Sequence, residues 1–368
     1  MMADVFFSVP PVLRILLVFI LILVASRIRV PLGIGLVLGG LILDLWAGKT
    51  PVPVMHDLAA SLLQPELWLL VINISLILEF GYYLSYQPNA EAILCASRRL
   101  GGRHGRSLSL IFIPAAIGLV PMPGGALFSA PLVGRSLQDK SLPPAWKAAV
   151  NYWFRHVFEH WWPLYPVVIV TLSIFTLRPW QFFSLQIPFT GVCLLAGWYF
   201  IIRPHREYLA DEPVAEERRN GRLVMVLLPL AVVVVCTLLL PAAANTLLPS
   251  VSPTTAKLLA MFCGLLLSLT LIAVFSWKDS EFRLFANLLS GKTATVVFTL
   301  AGVMIFQGML DFSGLLPAAG NSLRASLVPM EVVVAFLPFV AGLVTGIAIG
   351  FAGPAFPLVV GLVPTDGG

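Results

Sequence analysis

The sequence predicts an all-α polytopic membrane protein with two inverted-topology halves, and three observations support this fold class. Hydrophobic residues make up 58% of the chain and charged residues 11%, against roughly 45–50% and 25% in soluble domains. Several apolar runs approach the about 20 residues that a helix needs to cross a bilayer. Two further apolar runs, at 107–138 and 331–364, are broken by proline and glycine.

Eight segments have the length and apolar composition of membrane-spanning helices. An uncleaved first helix explains the N-terminal apolar run better than a signal peptide does, because longer spans follow it. The predicted spans are 11–27, 31–47, 66–86, 161–177, 182–202, 222–241, 255–276 and 293–312.

The first broken segment is interrupted at Pro121-Met122-Pro123-Gly124-Gly125. Proline removes a backbone donor and glycine loses backbone order, so a helix cannot continue through this run. The second broken segment repeats part of the first, because 350–359 aligns with 124–133 with Gly, Ala, Pro, Leu and Val in step. Broken backbone at membrane depth has to line a watery cavity or be packed inside protein. We therefore predict two re-entrant hairpins, with ordinary proline-kinked helices as the alternative.

Loop charges predict the topology through the positive-inside rule. With the N-terminus outside and 107–138 entering and leaving on the cytoplasmic side, the basic clusters at Arg98–Arg106 and Arg203–Arg222 lie inside. Five full spans then precede the second cluster, so the second half begins with the opposite orientation. This predicts a first half at 1–202, a cytoplasmic linker at 203–221 and an inverted second half at 222–368.

The runs PMPGGALFSAPLV and NYWFRHVFEHWWPLYP resemble family 401 of the domains of unknown function, a set of prokaryotic integral membrane proteins. With its two broken segments, the chain is also similar to the ion transporter superfamily. That resemblance implies two inverted halves with paired hairpins, in a secondary transporter of the prokaryotic inner membrane. Superfamily members move carboxylates, gluconate-like acids or oxyanions, coupled to sodium ions or protons.

The two halves differ in length. After its hairpin the first half continues through 151–200, whereas the sequence stops at Gly368, just past the second hairpin. If the halves are equivalent, we expect either a truncated chain or one that a partner completes. A non-transporting membrane scaffold is the function that this truncation favours.

The hairpin tips are the first candidate site for a solute or an ion. Half-helix N-termini carry partial positive charge that suits an anion, and unwound carbonyls suit a cation. Glycine lets the backbone approach the solute, proline holds a turn open, and hydroxyls donate hydrogen bonds. Purely structural turns are the alternative for these residues, which are Pro121, Pro123, Gly124, Gly125, Ser129, Thr345, Gly350, Gly353 and Pro354.

A polar helix follows the first hairpin and carries Asn151, Arg155 and Glu159 at intervals of four, with His156 beside them. This spacing predicts an Arg155–Glu159 ion pair on one helix face. The stretch 145–177 would be about 50 Å of unbroken helix, too long for one crossing. We expect its polar half to lie either along the membrane surface or against a cavity, where its side chains would tune solute or proton binding.

The letters His156-Val-Phe-Glu159-His160 also spell the HxxEH motif of inverted zinc peptidases. Two histidines four apart can share a metal with glutamate as the base. A zinc peptidase is therefore the alternative function from another class, although the sequence offers no convincing third ligand. Our prediction is a protein without enzymatic activity, cofactor or resident metal.

Glu79 lies deep inside the third predicted span, and Gln307 lies at a similar depth in the corresponding span of the second half. An ionisable residue inside a membrane is by default a candidate for function. We interpret Glu79 either as a carrier of the coupling ion or as a structural partner of a neighbouring helix. The expected partners are a small anionic solute and membrane lipids, and a homo-oligomer is compatible with the sequence. Nucleic acid is not expected, because the basic clusters lack interleaved aromatics.

Overall fold

The computed structural model describes residues 9–101, 105–119, 129–131, 133–134, 142–175, 177–205, 222–247, 250–277, 279, 282–286, 288, 290–324, 329–345 and 348–362. These residues form helices and turns, and no strand occurs among them. Five helices of this part of the chain are long and apolar enough to cross a membrane, which indicates a multi-pass membrane protein. They cover Pro65–Leu84, Pro179–His205, Arg222–Ala244, Pro253–Phe275 and Gly291–Ser313.

The helices of the described residues follow one another with short connections. They are α1 (Pro11–Arg27), α2 (Leu32–Trp46), α3 (Pro51–Leu62), α4 (Pro65–Ser85), α5 (Gln87–Gly101), α6 (Gly105–Gly118), α7 (Pro144–Arg155), α8 (Pro166–Ile174), α9 (Pro179–Gly197, continued by a π-helix at Trp198–Ile202), α10 (Arg222–Leu247), α11 (Pro253–Phe275), α12 (Gly291–Ser313), α13 (Leu315–Arg324), α14 (Met330–Thr345) and α15 (Ala348–Leu362).

Seven of the eight predicted spans correspond to α1, α2, α4, α9, α10, α11 and α12. The span predicted at 161–177 is helical only over Pro166–Ile174. The helices α3, α5 and α13 were not predicted, because the sequence was searched for runs of about 20 apolar residues. They are short and carry polar residues, as at His56 and Asp57 in α3.

The chain forms two compact units that interleave in sequence. The first unit contains α1, α2, α3, the start of α4 and α12 to α15. The second contains the rest of α4, α5 to α11 except the last two residues of α8, and the first three residues of α12. These units are defined by packing contacts and not by an internal repeat. The two inverted halves predicted at 1–202 and 222–368 therefore remain a prediction.

Glycines let α2 and α12 approach closely in the first unit. A Cβ added to Gly302 would lie 2.6 Å from the Cα of Gly33, and a Cβ on Gly40 would lie 2.9 Å from the sulfur of Met309. Small residues at a helix crossing are the usual means of close packing inside a membrane, where no hydrophobic force joins helices. Since Gly33 faces residue 302 and Gly40 faces residue 309, the two helices run parallel.

An ionic cluster closes the parallel ends of α2 and α12. The ammonium of Lys49 donates to Asp44 Oδ1 at 3.1 Å, to Asp57 Oδ2 at 2.5 Å and to the carbonyl of Phe312 at 2.8 Å. A cation at helix C-termini is favoured, because the terminal carbonyls carry partial negative charge. The hydrogen bond from Lys49 lowers the pKa of Asp57. Lys49 therefore joins α2, α3 and α12 at one end of this unit.

The second unit is built around another parallel pair, α4 and α11. Asn73 donates to the carbonyl of Leu258 at 2.9 Å near the start of α11. At their far ends, Tyr86 donates to Asp279 Oδ1 at 2.9 Å, just after α11 ends. The helix α10 packs along α11 in the opposite direction, with Ser268 donating to the carbonyl of Pro229.

A second ionic cluster closes the ends of α4 and α11. Arg222, the first residue of α10, donates from Nε to Asn89 Oδ1 at 2.7 Å and from Nη2 to Asp279 Oδ2 at 2.9 Å. Its guanidinium also lies over the ring of Tyr86, with 5.6 Å from Cζ to the ring centroid. The end of α4, the start of α5, the start of α10 and the end of α11 therefore meet at one place.

The first testable consequence concerns the close packing of α2 on α12. We expect Gly302→Ala to lower the melting temperature of the purified protein in detergent, because its Cβ would collide with Gly33 and overpacking costs about 1–3 kcal/mol. The matched control is Gly191→Ala in α9, where an added Cβ meets nothing within 4 Å. Equal melting temperatures for the two variants would contradict this packing.

The second consequence concerns which loops share a side of the membrane. In a variant without native cysteines, Gln87→Cys and Trp277→Cys should react with a membrane-impermeant thiol reagent from the same compartment, since both flank the Arg222 cluster. Ser250→Cys, between α10 and α11, should react only from the opposite compartment. Labelling of all three positions from one side would overturn this arrangement.

Candidate functional site

The most unusual feature of the second unit is a helix that stops part way along its course. The helix α7 ends at Arg155 and α8 begins at Pro166, and most residues between them lie in tight turns. Proline explains the break, because Pro166 has no N–H to donate and disfavours helical backbone at the residue before it. Pro163 has the same effect three residues earlier. The chain thus leaves the helix where its charged residues are concentrated.

This interruption lies beside the middle of α9. At the start of α7, Trp146 Nε1 donates to the carbonyl of Ile201 at 2.8 Å, near the end of the α9 course. Within the interruption, Thr190 Oγ1 donates to the carbonyl of Val157 at 3.0 Å. The two segments are therefore antiparallel, and Thr190 lies about 17 Å along α9 from Pro179 at 1.5 Å per residue.

The sequence left two positions open for the polar helix, and the contacts of 146–161 with α9 bear on that choice. A helix lying on the membrane surface would not follow a spanning helix from its end to its middle. The estimate of about 50 Å assumed an unbroken helix over 145–177. The turns between Arg155 and Pro166 shorten this length. Asn151 and Arg155 are buried in the unit, whereas the side chains of His156 and Glu159 are partly exposed, and a position against a cavity remains a prediction.

The end of α6 meets the interruption at Gly118. A Cβ on Gly118 would collide with the carbonyl oxygen of Arg155. Tyr165 donates from its hydroxyl to the carbonyl of Gly118 at 2.5 Å, and this bond is buried. Sequence reasoning missed both residues. The available signal was a glycine three residues before Pro121, where a helix had to end against something.

Arg155 is the buried charge of this site. Only 5% of its surface is exposed, although it lies at the C-terminal end of α7. Its Nη1 has no hydrogen-bond partner among the residues that the structure describes. Asn151, one turn earlier on the same helix, is also buried. The interruption therefore presents a positive charge, with donor capacity to spare, in the interior of the unit.

The predicted ion pair between Arg155 and Glu159 was wrong. The spacing argument required a continuous helix, and α7 ends at Arg155, so the two side chains do not share a helix face. Glu159 instead lies with Oε2 3.6 Å from Nε2 of His156.

The two histidines of the HxxEH motif have separate partners. Nδ1 of His156 contacts the carbonyl of Tyr152 at 2.6 Å, and Nε2 of His160 contacts the carbonyl of Gln186 at 3.2 Å. Because this segment is not helical, the spacing that places two histidines on one face does not apply. In the described part of the chain, no three His, Cys, Asp or Glu side chains are grouped to hold a metal.

The first predicted hairpin tip is only partly described. Pro121, Pro123, Gly124 and Gly125 lie outside the described residues, so their role as a solute site remains a prediction. Ser129, which follows them, is fully buried.

The second predicted tip is displaced from the expected position. α14 ends at Thr345 and α15 begins at Ala348, so Gly350, Gly353 and Pro354 lie within α15. The expectation that these residues form the turn was therefore wrong. Proline is tolerated inside a membrane helix when neighbouring groups satisfy the freed carbonyl. As candidate solute ligands, they remain a prediction.

Packing accounts for three of these second-hairpin residues. The hydroxyl of Thr345 donates to the carbonyl of Ala341, four residues earlier on α14, at 2.7 Å. Gly350 is buried. A Cβ on Gly353 would collide with Val303 of α12, so glycine lets α15 approach α12 here.

Glu79 and Gln307 occupy their predicted helices, α4 and α12. Glu79 is fully buried in the second unit. Gln307 belongs to the first unit, and its Oε1 is buried without a hydrogen-bond partner among the described residues. The role of each in ion coupling remains a prediction.

Comparison with known proteins identifies the family. No curated protein matches the chain. A family model described as a protein of unknown function (DUF401) matches residues 12–366, nearly the whole sequence. The chain, a helical protein with membrane-type helices, belongs to the DUF401 family.

Proposed function

We propose that this protein is a secondary transporter that moves a small anionic solute across the prokaryotic inner membrane by alternating access. The observation that carries the proposal is Arg155, a buried guanidinium with an unpaired Nη1 at the interruption between α7 and α8. Sodium ions or protons would drive the transport, as in the superfamily that the sequence resembles.

The chemistry of Arg155 favours an anion as the ligand. An isolated buried charge is costly, and removing one partner of a buried pair costs about 3–5 kcal/mol. Burying Nη1 without a partner costs free energy, and a hydrogen bond to a carboxylate or another oxyanion would offset that cost. Glu159 and His156 provide titratable groups close to the same place.

The interruption itself supports the same function. Transporters place solute and ion sites at broken helices, because the half-helix ends offer free backbone groups inside the membrane. Here α7 ends and α8 begins within one interior segment, and the end of α6 packs against that segment. Irregular backbone at this depth is tolerable where it lines a cavity or is packed in protein.

The order of the helices supports two repeats. Three apolar helices (α1, α2, α4), a short helix (α5) and the first broken segment precede Arg155, and one further short helix, α3, lies between α2 and α4 without a counterpart among the described residues of the second half. Three long helices (α10, α11, α12), a short helix (α13) and the second broken segment then follow.

The contacts inside the units match this order reciprocally. The short helix of the second repeat, α13, packs on α1, and the short helix of the first, α5, packs on α10. Likewise α2 packs on α12, and its counterpart α11 packs on α4. Exchange of equivalent elements is the pattern that an internal repeat produces.

The loop contacts support a re-entrant first hairpin. The helix α5 starts beside Asp279, where α11 ends. Lys257, near the start of α11, donates to the carbonyl of Leu177 just before α9. If α9 and α11 both cross the membrane, they also end on one side, and α7 starts there beside Ile201. The segment from α5 to α7 then enters and leaves on that side, which the positive-inside rule makes cytoplasmic.

The test is a thermal-shift screen of the purified protein against small carboxylates and inorganic oxyanions. We expect at least one anion to raise the melting temperature, because a ligand that binds only the folded state adds RT ln(1 + [L]/Kd) to its stability. The same anion should be taken up by vesicles that contain the protein. Arg155→Gln should abolish both effects.

The matched control is Arg178→Gln, which removes an exposed arginine from the connection between α8 and α9. This variant should keep the anion-dependent shift and the uptake. If no anion stabilises the wild-type protein, or if Arg155→Gln responds as the wild type does, the assignment of Arg155 is wrong. A non-transporting scaffold then becomes the better description.

A further inference from the structure

The ionic cluster of the first unit contains a carboxylate with only one of its two oxygens hydrogen-bonded to a described residue. Asp44 is fully buried near the end of α2, and its Oδ1 accepts from Lys49 at 3.1 Å. Its other oxygen, Oδ2, is buried and has no hydrogen-bond partner among the described residues. A buried acceptor left without a partner costs about 1–3 kcal/mol, and more when it is charged.

The ionic cluster of the second unit contains a carboxylate whose two oxygens both accept hydrogen bonds. Asp279 accepts from Tyr86 on Oδ1 and from Arg222 on Oδ2, both at 2.9 Å. Both clusters close the ends of a parallel helix pair, so the open oxygen of Asp44 is not required by that architecture. This oxygen is therefore a candidate binding position.

The charges around Asp44 indicate which kind of ligand its open oxygen, Oδ2, would bind. Lys49 supplies one positive charge, and Asp44 and Asp57 supply two negative charges, so these three bonded side chains carry one surplus negative charge. On the neighbouring helices, Arg14 of α1 donates from Nη1 to the carbonyl of Trp46, and His56 of α3 lies 3.6 Å from Asp57. Asp311 of α12 adjoins Phe312, whose carbonyl accepts from Lys49.

A proton fits this position better than a metal cation does. A metal ion needs several oxygen ligands, whereas Oδ2 is a single open acceptor. The ammonium of Lys49, already bonded to the other oxygen of the same carboxylate, would repel a second cation at close range. A proton needs only one oxygen and removes the surplus charge.

We propose that Asp44 is a proton-binding site and that its protonation loosens the bond by which Lys49 ties α2 to α3 and α12. When Oδ2 takes up a proton, the carboxyl becomes neutral and Lys49 loses the charge that attracted it. Lys49 keeps Asp57, the carbonyl of Phe312 and the backbone bond from its N–H to the carbonyl of Asp44, so only the side-chain bond between Lys49 and Asp44 is weakened. This inference rests on the proposed function for its use, since it makes the proton the coupling ion.

Infrared difference spectroscopy on the full chain in lipid vesicles tests the site directly. Acidification from about pH 9 to pH 4, a range that spans ordinary and raised carboxyl pKa values, should produce the C=O stretching band of a protonated carboxyl in a dry environment. Asp44→Asn should remove this band. Asp57→Asn is the matched control, and it should keep the band but move its appearance to lower pH, because a nearby negative charge has been removed.

A second variant keeps the test decisive if Asp44→Asn folds poorly. Lys49→Met removes the only cation bonded to Asp44 within the described cluster, so the band should already be present at neutral pH. The inference is overturned if Asp44→Asn leaves the band unchanged, or if Lys49→Met does not move the appearance of the band to higher pH. No solute enters this experiment, so its failure would leave the Arg155 screen and the proposed function untouched.

Discussion

The absence of water inside a membrane is the constraint on which this structure depends, because every backbone group there needs a partner within the protein. The turns between Arg155 and Pro166 meet this requirement by close packing. Thr190 donates to the buried carbonyl of Val157, and Tyr165 donates to the carbonyl of Gly118 at the end of α6. Gly118 then allows the end of α6 to touch the backbone of Arg155, where the turns begin. A side chain there would separate them and expose groups that each cost several kcal/mol when unpaired.

The same constraint shapes the ends of the long helices. In each unit, two parallel helices end at the same level. A basic residue from the first turn of a neighbouring helix binds near the end of one of them, which is α2 in the first unit and α11 in the second. Arg14 binds the carbonyl of Trp46 in one unit, and Arg222 binds Asp279 in the other. Carbonyls at helix C-termini attract cations, which favours the contact of Arg14. Arg222 instead binds the carboxylate of Asp279, just after its helix ends. The two units thus share this arrangement. They differ in the carboxylate, because Asp279 accepts hydrogen bonds on both oxygens and Asp44, among the described residues, on only one.

The sequence predicted most of the long helices because hydropathy and length alone define them, as in α1, α4 and α12. It could not predict α3 or α5, whose short amphipathic surfaces depend on the helices they pack against. The polar residues Asn151, Arg155 and Glu159 were found from their spacing, but that spacing assumed a helix that Pro163 and Pro166 end. Gly350 and Pro354 were placed in a turn on composition, yet they are helical, since neighbours inside a membrane can satisfy a proline-broken helix. The cluster of Lys49 with Asp44 and Asp57 was not predicted, because its members come from separate segments of the chain.

The central claim is that water and a small anion reach the interruption at Arg155 from one side of the membrane. Aqueous thiol reagents measure this most directly, in cysteine-free protein carrying Glu159→Cys, whose parent side chain is 29% exposed within the interruption. Val192→Cys is the control, since Val192 lies close to the same level of α9 but is 62% exposed on its outer surface. We expect Glu159→Cys to react, and to react faster with an anionic reagent than with a cationic one, while Val192→Cys stays unmodified in lipid. Equal inertness of both cysteines from either compartment would contradict the account.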